Sequence, residues 1–138
     1  MQQRKTVVDT NSPEVEHYQW AAGCEAWVLM DTPSVTIKEE RMAPGTREQL
    51  HLHKNAAQFF YIPEGKAVFY LEGKAHHLRA SQGLQVSAIS SHNIANESND
   101  PVRILVTTTP TYPITNESRP GGQNGPCFNG FSLKLVVS

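Results

Sequence analysis

Short apolar runs separated by closely spaced turn signals predict an all-β sandwich or barrel for this chain. Apolar residues alternate with polar ones over these runs, and no stretch keeps the period of an amphipathic helix. The 138 residues suffice for one domain with a proper core and are too few for two.

The elements follow in order. Residues 1–25 are polar at their start, contain Pro13 and hold no sustained period, so they read as an N-terminal arm, mobile or extended along the barrel. A first strand is expected over Ala26–Met30, ended by Asp31-Thr32-Pro33. Val35–Met42 follows, with Val35 and Ile37 on one face and Thr36, Lys38 and Glu40 on a wet one. Ala43-Pro44-Gly45 is a turn. The next strand carries Arg47, Gln49, His51 and His53 at alternate positions, so all four are expected on one face, with Leu50 and Leu52 on the other.

Gln58 lies five residues beyond His53, and a continuous strand would point it away from the histidines. Lys54-Asn55-Ala56-Ala57 supplies a turn, after which a returning strand turns Gln58, Phe60 and Ile62 inward and Phe59 and Tyr61 outward. Leu50, Leu52, Phe59 and Tyr61 then form an outer apolar patch that a soluble monomer seldom exposes, and a second protomer or the chain's own arm is expected to cover it. Residues 67–71 and 75–79 form a hairpin around Gly73, and further strands are expected over 84–89, 93–97 and 102–108. Residues 110–138 read as a Pro/Gly-rich tail, ending in the apolar run Phe131–Val137 that docks as an added strand or across a dimer.

Gly45, five residues, His51-x-His53, four residues, Gln58, six residues and Gly65 resemble the first sequence motif of the cupin superfamily, with Gln58 where that family has Glu. Gly83, His92 and Asn96 resemble its second motif, although Ser87-Ala88-Ile89 replaces the Pro-x-Gly turn before the histidine. An Ile at a position requiring positive φ is a poor fit. The resemblance spans about residues 26–108 and implies a double-stranded β-helix, or jelly roll, with a barrel domain over 26–109.

It also implies one divalent metal ion, Fe, Mn, Ni or Zn, held by His51, His53, Gln58 and His92; Gln58 is either a ligand or a hydrogen-bond partner of a three-histidine site. An amide oxygen leaves the ion's double charge uncancelled, which favours an anionic substrate and removes a carboxylate that might serve as base. Arg47, Gln49 and Phe60 are the expected substrate-contacting residues, while Asn96 is expected to support the turn after His92. His76 and His77 read as a solvated pair. The family suggests a small-molecule metalloenzyme, a dioxygenase-like oxidoreductase first, with an isomerase or lyase, or a non-catalytic ligand-binding cupin, as the alternatives.

The net charge of −1, with both signs mixed along the chain, gives no reason to expect nucleic-acid or membrane partners. Without an apolar leader or a span-length run, a cytoplasmic location is the expectation. Cys24 and Cys127 show no Cys-x-x-Cys spacing and read as reduced thiols. A homodimer is the expected assembly.

Overall fold

The computed structural model describes residues 6–110 and Val136–Val137. The strands are β1 (His17–Ala21), β2 (Cys24–Asp31), β3 (Thr36–Met42), β4 (His51–Leu52), β5 (Ala56–Glu64), β6 (Lys66–Leu71), β7 (Lys74–Arg79), β8 (Gly83–Val86), β9 (His92–Ala95), β10 (Val102–Pro110) and β11 (Val136–Val137). They form a six-stranded sheet, β1-β2-β3-β10-β5-β8, and a five-stranded sheet, β11-β4-β9-β6-β7. All pairings are antiparallel except β11 beside β4. This is the jelly roll expected, with the core between the two sheets.

Alternation explains why the two sheets close on each other. Along β5, Gln58, Phe60 and Ile62 are buried while Phe59 and Tyr61 are exposed. Along β10, Val102, Ile104 and Val106 enter the same interior, and Phe69 and Ile94 meet them from the opposite sheet. Phe60 and Phe69 pack with ring centroids 4.9 Å apart. Gly65, between β5 and β6, has φ +93°, and a Cβ there would lie 2.7 Å from the Pro101 carbonyl. Only glycine lets the chain change sheets so close to another backbone.

Four expectations change. The sheet begins at His17 rather than Ala26, because β1 pairs with β2; the arm therefore contains a strand whose Tyr18 and Trp20 pack against the core. The face of β3 read as wet is the inner one: Lys38 is 6% exposed and Glu40 2%. β4 and β5 do not form a hairpin; they lie in opposite sheets, linked by Lys54-Asn55. Leu50 and Leu52 are consequently not on strands neighbouring Phe59 and Tyr61. Finally, β8 ends at Val86 because Ile89 adopts φ +69°, with its side chain 63% exposed. The turn before His92 thus keeps a left-handed residue without glycine.

Cys24 is a free, buried thiol, and Cys127 lies outside the described residues. So does most of the 110–138 tail, apart from Pro110 in β10 and the terminal β11. Among the described residues no helix is long and apolar enough to cross a membrane.

Candidate metal centre

The chain between Arg47 and His53 is not one strand. Arg47 makes an isolated bridge with Ala95, and regular pairing resumes only at His51. The intervening irregularity shifts the alternation. Glu48, not Arg47, is buried, at 2% exposure. The Arg47 side chain is 60% exposed, 3.6 Å from Glu97, with its guanidinium over the Tyr70 ring. It lies on the outer surface rather than at the barrel mouth. Gln49 is half-buried, and its carbonyl oxygen accepts a hydrogen bond from His51 Nδ1 at 2.7 Å.

His51 and His92 are register partners on β4 and β9, so their side chains project from the same point of one sheet. His53 follows on the same inner face. The three ring systems lie 4.4 to 5.7 Å apart between centroids, and their candidate ligand atoms all fall within 4.8 Å of one another. Gln58 reaches them from the opposite sheet: its Oε1 lies 3.1 Å from His92 Nε2, and it hydrogen-bonds His53. Phe60 borders the group, its ring 5.9 Å from that of His92. Asn96 sits apart from the histidines and is structural. Its amide donates to the carbonyls of Met42 and Asp100, and its oxygen accepts from Ser98. His77 is exposed and His76 half-buried, both away from this group on β7.

Hydrogen bonding fixes the ring tautomers. His51 Nδ1 and His92 Nδ1 each face a backbone carbonyl, that of Gln49 and that of Ser90 at 2.8 Å. Carbonyls only accept, so in the neutral ring both Nδ1 atoms carry the hydrogen and both Nε2 atoms present lone pairs inward. Burial, reinforced by the neighbouring His92, pushes His51 down to about 3. Burial and the same neighbour push His53 down to about 4, and burial also lowers His92. All three are neutral at pH 7.

This arrangement fits a bound cation. His51 Nε2 is buried with no hydrogen-bond partner among the described residues. The Gln58 amide nitrogen donates to Thr108 Oγ1 at 3.0 Å, which turns its oxygen towards the lone pair of His92. Two acceptors 3.1 Å apart repel unless something positive lies between or beside them. Imidazole nitrogens and one amide oxygen are suitable donors for Fe, Mn, Ni or Zn.

Thr108 carries no motif signal and is recognisable only through register, as the β10 residue directly across from Gln58. Lys38, Glu40 and Glu48 were likewise missed as interior groups, because charged residues on an alternating strand read as its solvent face.

A jelly-roll barrel with a histidine triad on one wall and an amide on the other defines a small β-barrel class whose histidines could hold a metal ion. The family model described as Cupin domain (Cupin_2) matches residues 38–108. The chain therefore belongs to the cupin superfamily. Over 72 residues, 52% of this chain, it is 32% identical to "Polyketide synthase CurC" of Streptomyces cyaneus, of which it covers 47%. An uncharacterized protein of Methanocaldococcus jannaschii is 25% identical over 77 residues, 56% of this chain and 62% of the relative. The chain thus spans about half to three fifths of the curated relatives it matches. Among solved structures, a predicted oxalate decarboxylase from Thermotoga maritima superposes with TM-score 0.66 at 22% identity, covering 76% of this chain and 99% of that one. Their likeness lies in the fold.

Proposed function

We propose that this protein is a metal-dependent enzyme of the oxidoreductase class, acting on an enolisable, oxygen-rich small molecule. The observation that supports it is the inward convergence of the His51 and His92 Nε2 lone pairs with the Gln58 oxygen. His51, His53 and His92 would hold one divalent ion, with Gln58 as a fourth donor. Bound iron or manganese supplies open coordination positions for oxygen chemistry, whereas zinc or nickel acts as a Lewis acid suited to an isomerase or lyase.

The chain's own residues suit such a substrate. Gln58 contributes a neutral oxygen, so an anionic oxygen of the substrate is favoured at the site. Phe60, Phe69 and Ile62 are each at most 1% exposed and line the interior with apolar surface that excludes water. The Streptomyces relative bears the name of a polyketide synthase protein, and we take a polyketone-like, enolisable compound as the substrate class from it. A non-catalytic ligand-binding cupin is the second reading, favoured by an amide standing where a carboxylate base would act. We also propose that a second copy of the chain covers the outer face of the six-stranded sheet, where Phe59, Tyr61 and Met30 are 46%, 37% and 43% exposed.

Elemental analysis of untagged protein, beside a His51→Ala/His92→Ala variant, tests the metal; oxygen uptake on a panel of 1,3-diketones and enediols tests the reaction. About one redox metal per chain, lost in the variant, with uptake on the panel, is the expected result. Ligand binding indifferent to metal removal would replace the enzyme reading with the binding one.

A further inference from the structure

The outer face of the five-stranded sheet carries a cavity that the candidate metal centre does not use. Val68 is 6% exposed, yet it stands apart from the core. Its neighbours along β6, Ala67 and Phe69, belong to the core between the sheets, so alternation turns Val68 to the opposite face. Its register partners are His77 on β7 and Ala95 on β9. Here Lys66, Val68, His77, Glu97 and Ser98 line a cavity of about 230 Å³, and Ala67 with its register partner Leu78 adds to the apolar lining. Pockets for drug-sized molecules hold roughly 300–1,000 Å³, so the ligand that this one suits is smaller.

The charges around the cavity do not balance. Glu97 is the carboxylate on its lining, and it is already engaged: Oε2 accepts from the Tyr70 hydroxyl at 2.5 Å and lies 3.6 Å from Arg47. Ser98 Oγ faces the Asn96 side-chain oxygen at 2.7 Å and the Asp100 carbonyl at 3.0 Å, both acceptors, so its proton is taken within its own turn. The side chains of Lys66 and His77, by contrast, make no hydrogen bond or ion pair among the described residues. Arg79, the register partner of Lys66, shares the face of β7 that carries His77 and adds positive charge. An ammonium and an imidazole N–H beside an apolar floor complement an anion with an apolar body. A bare phosphate would satisfy the rim and leave Val68 uncovered.

We infer that this cavity is a second small-molecule site, for a short-chain monocarboxylate, with the carboxylate against Lys66 and His77 and the alkyl chain over Val68. It does not depend on the metal reading, because His92 and Ile94 turn to the inside of the sheet whereas Ala95 turns to this side.

The test follows amide and His77 ring shifts of the full chain by NMR as hexanoate is added, with acetate, hexan-1-ol and inorganic phosphate as comparisons. Hexanoate should move Val68, His77 and Ser98 together and saturably, with a Kd on the order of 1 mM. Each comparison ligand lacks either the chain or the charge and should bind about threefold or more weakly. Lys66→Met, a change at an exposed side chain, should weaken hexanoate about threefold or more and leave hexan-1-ol unchanged. Val68→Thr should weaken hexanoate and leave acetate unchanged, since it makes the floor polar at nearly constant volume. The inference is overturned if no saturable shift occurs at these residues, or if the shifts are confined to His51, His53 and His92. Equal hexanoate affinity in wild type and Lys66→Met overturns it too, and phosphate binding as tightly as hexanoate overturns the ligand class. Should Val68→Thr not fold, the Lys66→Met comparison decides.

Discussion

Acidifying the metal-free protein from pH 6.5 to 5 should lower its unfolding free energy by roughly 3 kcal/mol through His51 and His53 alone. In the unfolded chain both imidazoles titrate near the ordinary histidine value of about 6.5. In the folded barrel, burial and the adjacent His92 hold them at about 3 and about 4. Between those limits the unfolded chain binds more protons than the folded one, so stability rises with pH. Their neutral-state contribution is complete above about pH 6.5 and disappears as pH falls towards the folded values. Each group contributes about 0.7 kcal/mol per pH unit at pH 6.5, rising to about 1.4 near pH 5 as the unfolded imidazole becomes fully protonated, and His92 adds in the same direction. Against a domain stability of about 5–15 kcal/mol, the effect is large. Urea unfolding of chelator-treated protein at pH 8, 7, 6 and 5 measures it, beside a His51→Gln/His53→Gln variant that lacks these two titrations. Parallel pH dependence in the two proteins would refute the reasoning, because the carboxylates common to both would then account for the whole acid response.

Four further outcomes are expected. Gln58→Glu should tighten retention of a divalent ion by about tenfold or more, since a carboxylate cancels one of its charges, as measured by competition with a chromophoric chelator. Thr108→Val removes the acceptor that turns the Gln58 oxygen inward, and should weaken ion retention about tenfold in the same assay. Ile89→Gly should raise the unfolding free energy by about 1 kcal/mol in chemical denaturation, relieving a β-branched residue at φ +69° whose side chain is mostly exposed. Phe59→Glu places a charge in the proposed dimer face and should give a folded monomer by sedimentation; an unchanged assembly would locate any interface elsewhere.

The candidate metal centre and the barrel were legible to different depths. The spacing of His51, His53, Gln58 and His92 between turn glycines was sufficient to select both the fold and the four residues that the structure gathers. Spacing records which strand a side chain stands on, and alternation records its face, so a motif confined to regular strands survives translation into space. Arg47 shows where this fails. Regular pairing is interrupted between Arg47 and His51, and an odd residue in an irregular segment reverses every face assigned beyond it.

By itself, the sequence determined that the chain is β-rich, that its central histidines share a face and that an amide replaces a family carboxylate. Only the tertiary structure decided that Gln58 faces those histidines from the opposite sheet, that Thr108 orients its amide, and that Lys38 and Glu40 turn inward rather than to water. The physical reason is that period-two alternation distinguishes two faces without saying which is wet. That choice belongs to strands far away in sequence, here β1 with Tyr18 and β10 with Val106, which lie in the same sheet as Lys38 and are separated from it by many residues of chain.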